Sequence, residues 1–330
     1  IFGDEKLKFF QTKPKMATRQ CSSSVINSIS NILPELIGGS ADLSGSNNTK
    51  TESSKIITSK NFSGNYIHYG VREHAMAGVM NGMALYGGLI PFGGTFLIFS
   101  DYLKPALRLS ALMSLRVIYI FSHDSIGLGE DGPTHQPMEH LEHLRAIPNL
   151  NVFRPADINE TLECWEIALK SKNNPSAIAL SRQKLPYISE HKSEKNRCSR
   201  GAYILKKTSN SKYDGVTLMA SGSEVEIALK AQEKLKSKNI DSRVVSIPCF
   251  DLFQNQSQAY KDEIFGVENM IKISIEASSQ SGWKGIVGRS GTALGLTTFG
   301  KSAPYKDIYK LFNLTSDEIV KIVEKKSGKN

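Results

Sequence analysis

No apolar run in this chain reaches the length that a membrane span requires, so a helical membrane protein is excluded. The opening residues, IFGDEKLKFF, lack the layout of a signal peptide. Cysteine is sparse: Cys21, Cys164, Cys198 and Cys249 stand far apart and form no CxxC pair. That spacing argues against a zinc site and predicts a reducing compartment, with the cytoplasm as the expected location. Short repeats and low-complexity segments are missing as well. The formal net charge is +9, but aromatics do not interleave with the basic residues as a base-stacking platform requires. Much of the excess lies near the ends and in mid-chain, at Lys6, Lys8, Lys192, Lys195, Arg197, Arg200, Lys325 and Lys329. It reads as solubilising charge, and neither nucleic acid nor a membrane is an expected partner.

What remains is an ordinary globular composition, 40% apolar and 22% charged over 330 residues, enough for two domains with sizeable cores. Residues 1–15 are basic, show no clear periodicity and read as a linker tail. Val25, Ile26, Ile29, Ile32 and Leu33 fall at helical spacing. A second helix is expected over 72–86, with Met76, Val79, Met80 and Met83 on one side and small residues that permit close approach of another element. Residues 117–122 and 176–181 read as buried strands. Asp157 with Glu160, Ser223 with Glu226, and Thr315 with Glu318 each have the spacing of a capping box. The polar stretch 184–200 contains Pro186, has no periodicity and marks a boundary, after which strands are expected over 216–220, 242–247 and 271–276. Alternating strands and helices in both halves predict an α/β class: two consecutive three-layer α/β/α domains with mostly parallel sheets, over 16–190 and 195–330.

The most informative segment is 123–137, HDSIGLGEDGPTHQP, which follows the apolar run Val117–Phe121. In open α/β sheets ligands bind beyond the carboxyl ends of such strands, and a polar, glycine-rich loop there points to chemistry. Residues 127–132 formally match the GxGxxG of dinucleotide folds. Glu130 and Asp131 would repel a pyrophosphate, and Pro133 and Pro137 delay the helix that should hold it. Six of the seven histidines lie between His68 and His143. The HLEH of 140–143 has neither spacing used by zinc hydrolases and reads as an exposed polar helix. His123 and His135 flank turns of one loop, so both imidazoles can face one cavity and exchange protons with a hydroxyl; capping of a backbone carbonyl is the other reading. Asp131 between them could accept a hydrogen bond from a hydroxyl. Glu73 stands at a helix start, where partial positive charge favours a carboxylate. Phe96, Phe99 and Tyr102 follow Gly93 and Gly94, and spacing alone reads them as core aromatics.

Together with GGSADL at 38–43 and YGVREH at 69–74, the 123–137 loop resembles the transketolase family of thiamine-diphosphate enzymes, in the family's motif order from about Met16 onward. The resemblance implies transfer of a two-carbon ketol unit from a ketose phosphate such as xylulose 5-phosphate to an aldose phosphate such as ribose 5-phosphate, in the pentose phosphate pathway. It gives Glu73 a hydrogen bond to a pyrimidine ring nitrogen of the cofactor. That bond favours the imino tautomer that removes the thiazolium proton. Phe96, Phe99 and Tyr102 then wall the aminopyrimidine ring, with the glycines allowing close backbone approach, and Asp42 helps shape the cofactor site. Arg19 matches the arginine of the family's ATR segment and Arg182 that of its SRQ segment. With Ser46 and His123 they would hold the substrate phosphate. His135 and His123 would handle hydroxyls and proton transfer, and Asp131 would check sugar stereochemistry. Where the family loop after SADL often carries proline, this chain has Gly45, which bears on loop stiffness.

The family holds the diphosphate through magnesium bound by a GDG motif and a downstream asparagine. No Gly-Asp-Gly occurs here. The resemblance thus covers a pyrimidine-binding domain and a C-terminal domain, with no metal ligands of their own. The family's homodimers build each site between two subunits, so the chain is expected to supply half of a site, to need an N-terminal pyrophosphate-binding domain or subunit, and to be inactive alone. Deoxyxylulose-phosphate synthase, the β-type chain of a 2-oxoacid dehydrogenase, and a non-catalytic dimerisation or regulatory module are the alternatives. The uninterrupted 123–137 and SRQ segments favour transketolase over the first two.

Overall fold

The computed structural model describes residues 2–189, 195–208, 215–266 and 270–328. Part of the expected linker, with His191 and Lys192, lies outside them, as does Lys329. The first half runs α1 (Phe2–Thr12), α2 (Thr18–Ser30), β1 (Leu36–Ser40), α3 (Ser44–Asn47), β2 (Tyr66–His68), α4 (Glu73–Tyr86), β3 (Ile90–Phe96), α5 (Ser100–Leu112), β4 (Ile118–Ser122), α6 (His140–Arg145), β5 (Asn151–Phe153), α7 (Ile158–Lys170) and β6 (Ser176–Leu180). Its six strands form one parallel sheet in the order β2-β1-β3-β4-β6-β5.

Strand alternation explains the two packed faces. Ile118 and Ile120 of β4 point to a core with Val25 and Ile26 of α2 and Trp165 of α7. Tyr119 and Phe121 point the other way, to Met76 and Met80 of α4 and Leu103 and Leu107 of α5. A fully buried parallel strand therefore reads as a continuous apolar run.

The second half runs β7 (Tyr203–Lys206), β8 (Val216–Ala220), α8 (Val225–Ser237), β9 (Ser242–Ser246), α9 (Phe250–Gln254), α10 (Gln258–Phe265), β10 (Ile271–Ser279), α11 (Ser281–Val287), β11 (Thr292–Leu296), α12 (Tyr305–Leu311) and α13 (Ser316–Ser327). The sheet order is β11-β10-β8-β9-β7, parallel except for the antiparallel edge strand β7. Both halves are thus α/β layers with mostly parallel sheets, as the alternation predicts. Among the described residues no helix is long and apolar enough to cross a membrane.

Several local expectations change. The basic opening segment is a helix, α1, packed on α7 through Phe9. Lys6 sits on the same face and reaches Glu163 at 2.8 Å. A lysine stem covering apolar surface hides the periodicity. Val79 is 47% exposed while Met76 and Met80 are fully buried, so the apolar side of α4 is split between core and surface. His140 is buried and bonds Asp101 at 3.1 Å, so α6 is not an exposed polar helix. Asp157 and Thr315 cap their helices as expected, but Glu160 reaches back to the amide of Ala156. Ser223 caps nothing: its hydroxyl donates to Glu224 inside a buried polar network. Strand β3 is unexpected from a sequence that reads IPFGGTF, because proline and two glycines mask it.

Candidate active site at the carboxyl edge of the first sheet

The register fixes where the loops emerge. Ser40 of β1 lies opposite Gly94, and Phe96, Ser122 and Leu180 lie abreast at the ends of β3, β4 and β6. The chain goes from β1 to β2 on one side and returns to β3 on the other, so the strand order reverses between β1 and β3. That is the crevice where parallel sheets bind ligands. Every candidate residue lies along this edge: Asp42 and Ser46 after β1, Glu73 after β2, Phe96 at the end of β3 with Phe99 and Tyr102 following into α5, the 123–137 loop after β4, Arg182 after β6, and Arg19 on the first turn of α2.

Five of these residues form one ring cluster. Phe96 stacks on Phe99 with centroids 5.7 Å apart, and Tyr102 follows at 6.0 Å from Phe99. The His123 ring lies 3.8 Å from Phe96, and the His135 ring 5.8 Å from Phe99. The loop thus brings both imidazoles to one aromatic wall. His123 takes the left-handed conformation, φ +60°, which an ordinary side chain adopts only where the surroundings impose it. Its pKa is pushed down to about 3, by burial first and then by the charges of Arg19, Arg182 and His135. His123 is therefore a neutral hydrogen-bonding group, and His135 stays closer to solvent with Thr134 on its Nδ1 at 3.0 Å.

Spacing gives no reason for Arg19 to meet Arg182; the fold supplies one. The hydroxyl of Thr18 accepts the amide of Ser181 at 2.7 Å, and the amide of Thr18 donates to the Ser181 hydroxyl at 3.0 Å. This lacing ties the start of α2 to the end of β6 and sets two arginines beside His123. Burial, and after it the charge of Arg182, lowers the Arg19 pKa. Two neighbouring guanidinium groups suit an anion between them. Arg19 Nη1 donates to the Ser46 carbonyl at 2.6 Å, so Ser46 meets Arg19 through its backbone, not through its hydroxyl.

Asp42, Glu73 and Asp131 share no side-chain hydrogen bond or ion pair with the other candidates among the described residues. Asp42 and Asp131 are exposed. Glu73 is different: it is only 8% exposed and has no side-chain hydrogen bond or ion pair among the described residues. Its carboxylate oxygens are not among the buried polar atoms left without a partner, so they stay reachable from solvent and can accept from a bound group. At the same sheet edge as the aromatic wall, Glu73 suits a flat heterocycle that carries an N–H. Among the described residues no group of three histidine, cysteine or acidic side chains could hold a metal.

A supporting row of polar groups escapes sequence reasoning. Ser122 Oγ lies 2.9 Å from His123 Nδ1 and accepts from Asn47 Nδ2 at 2.7 Å, and Asn47 Oδ1 accepts from Ser40 at 2.9 Å. All three are buried. The only signal was their polarity beside strand ends. Gly93 and Gly94 admit protein instead of a ligand: a Cβ would lie 2.7 Å from Met80 Sδ at the first and 2.6 Å from Thr49 Cγ2 at the second. The GxGxxG segment forms a short 3₁₀ turn, Ile126–Leu128, with no α-helix until His140, which removes the dinucleotide reading.

Comparison with known proteins covers both halves of the chain. The family model "Transketolase, pyrimidine binding domain" matches residues 14–187, and "Transketolase-like TK C-terminal domain" matches residues 201–315. A transketolase of Sinorhizobium medicae is 53% identical over 307 residues, 93% of this chain and 44% of that protein. The solved transketolase of Leishmania mexicana is 40% identical with a TM-score of 0.89, over 94% of this chain and 45% of that one. A shorter chain, described as a split gene transketolase, inactive beta4 tetramer, is covered to 98% with a TM-score of 0.76 at 23% identity, which shows the shared fold. The chain spans about half the length of the curated relatives it matches.

Proposed function

Since the chain belongs to the transketolase family, we propose that it carries the pyrimidine half of a ketol-transfer site and completes it with an N-terminal pyrophosphate-binding domain or subunit. The substrates would be a ketose phosphate donor and an aldose phosphate acceptor of the pentose phosphate pathway. The observation that carries this reading is Glu73, a largely buried residue whose carboxylate stays open to a donor, at the same sheet edge as the Phe96–Phe99–His123–His135 cluster.

Bound thiamine diphosphate would supply a nucleophilic thiazolium carbon that accepts and passes on the two-carbon unit. Glu73 would accept the hydrogen bond of the pyrimidine nitrogen and so set the ring's tautomer. Phe96, Phe99 and Tyr102 would bury the ring's faces and exclude water, with Asp42 at the rim. Magnesium and its diphosphate ligands belong to the complementary domain. Arg19, Arg182 and the Ser46 turn would hold the sugar's phosphate. His123, neutral, would hydrogen-bond phosphate or hydroxyl; His135 would exchange protons with a hydroxyl, and Asp131 would read the sugar's stereochemistry.

We also propose a homodimer. Val79, Leu85 and Tyr86 of α4 and Leu109 and Leu112 of α5 leave an exposed apolar face on the first half. Four free, buried thiols accord with a reducing, cytoplasmic setting, and the domain limits 16–190 and 195–330 form part of the same proposal. The test is calorimetry of thiamine diphosphate with magnesium, on the chain alone and mixed with an N-terminal counterpart, followed by a ketol-transfer assay with xylulose 5-phosphate and ribose 5-phosphate. Binding and transfer only in the mixture support the reading. Tight, metal-dependent binding by the chain alone would place the diphosphate site here and overturn it.

A further inference from the structure

The second half of the chain places no candidate residue at the site; each lies at or before Arg182. It does grip the loop that carries three of them. At the loop's start, buried Asp124, next to His123, accepts from Arg154 Nε at 2.9 Å. Arg154 continues to the Ser221 carbonyl at 2.9 Å, to the Ser223 hydroxyl at 3.2 Å and to the Glu224 carboxylate. Glu224 is held by Tyr309 Oη at 2.6 Å and the Ala277 amide at 3.0 Å. At the loop's end, Gln136, next to His135, donates from one Nε2 to Gly129 O at 2.8 Å and to Lys301 O at 2.9 Å. Ser302 Oγ donates to the Glu130 carbonyl.

Such a grip is needed on physical grounds. The loop has no sheet ladder of its own, and it contains His123, Gly129 and Gly132, all at positive φ. A segment of this kind moves unless other elements determine it. Hydroxyl recognition by Asp131 and His135 depends on placement within a fraction of an ångström. Gly300 makes the contact tight: a Cβ there would lie 1.7 Å from Gln136 Oε1.

We propose that the second half clamps the 123–137 loop in its working geometry, with Gln136, Ser302 and Arg154 as positioning residues. In this account the C-terminal sheet acts on catalysis through the loop and contacts neither cofactor nor sugar. The kinetic part of this proposal rests on the transketolase reading, whereas the mechanical part does not.

Ser302→Ala and Gly300→Ala test it in the complete enzyme. Ser302 is exposed, so its variant is expected to fold normally, and the alanine at Gly300 pushes on a side-chain amide alone at its closest contact. Amide hydrogen exchange over 126–136 should accelerate about tenfold or more, with the strands unchanged. The value of kcat/KM for a phosphorylated ketose should fall about ten- to a hundredfold, while exchange of the cofactor's thiazolium proton, which depends on Glu73, stays at its normal rate. Unchanged loop exchange in both variants overturns the clamp. A loosened loop with unchanged kcat/KM overturns the positioning role. If the unmodified enzyme transfers no ketol unit, the transketolase reading fails and the exchange measurement still decides the clamp.

Discussion

The ring of Phe96 lies against that of His123 with centroids 3.8 Å apart, so the imidazole sits on carbon where water would otherwise solvate a charge. The charges of Arg19, Arg182 and His135 oppose it as well. A histidine with pKa about 3 folded and about 6.5 unfolded leaves the unfolded chain with the extra proton between those values. Its contribution to stability therefore rises with pH through that window and is complete above it. His123 should stay neutral in NMR titrations of the folded protein from pH 5 to 9, and Phe96→Ala should move its pKa upward. A His123 signal that titrates near 6.5 in the unmodified protein would sink this account.

Glu73 offers the sharpest separation of roles. It has an acceptor pair and no donor among the described residues, and it shares no side-chain hydrogen bond or ion pair with a sugar-binding candidate there. In the assembled enzyme, Glu73→Ala should slow deuterium exchange of the thiazolium proton by about a hundredfold or more, the scale of lost acid–base assistance. Binding of a phosphorylated sugar should change far less. Near-normal proton exchange in the variant would remove Glu73 from the activating role.

Arg182 should behave in the opposite way. It is exposed at the end of β6 and within electrostatic reach of Arg19 and His123. Arg182→Ala should raise KM for phosphorylated sugars about ten- to a hundredfold, the range for losing a charge-assisted hydrogen bond. It should leave KM for an unphosphorylated ketose nearly unchanged. Equal effects on both substrates would mean that the arginine does not hold the phosphate.

What the sequence discloses follows from how local its signals are. The apolar runs of β4 and β6, the helical spacing in α2 and the Asp157 and Thr315 caps are each written within a few residues, and all appear in the fold. The site motifs are also local, yet their meeting is not. The Thr18–Ser181 lacing brings Arg19 near Arg182, and His123 leans on Ser122 and, through it, Asn47 by bonds that no spacing encodes. The same limit hides α1, whose inner face includes Lys6, and β3, whose glycines are filled by Met80 and Thr49 from elsewhere in the chain. The grip on the 123–137 loop lies furthest from view, since Ser302 and Glu130 are 172 residues apart.

Glu160 joins the two halves and gives the last prediction. It stands on α7, fully buried, and accepts from Tyr203 Oη of β7 at 2.8 Å and from Ser246 Oγ of β9. Burial, followed by the charge of Asp157, raises its pKa to about 7 despite those donors. An acid whose folded pKa exceeds its unfolded value of about 4.5 keeps a proton that the unfolded chain has lost. Stability from this group is therefore present below the unfolded value and declines as pH climbs to about 7. His123 adds stability up to about pH 6.5 and offsets this loss there, so the midpoint of chemical unfolding should fall between pH 6.5 and pH 8, and Glu160→Gln, which cannot ionise, should flatten that fall even if its absolute stability is lower. Asp157, also raised by burial, contributes in the same direction and should leave a residual slope. A variant whose midpoint falls as steeply as the unmodified chain would show that the proton sits elsewhere.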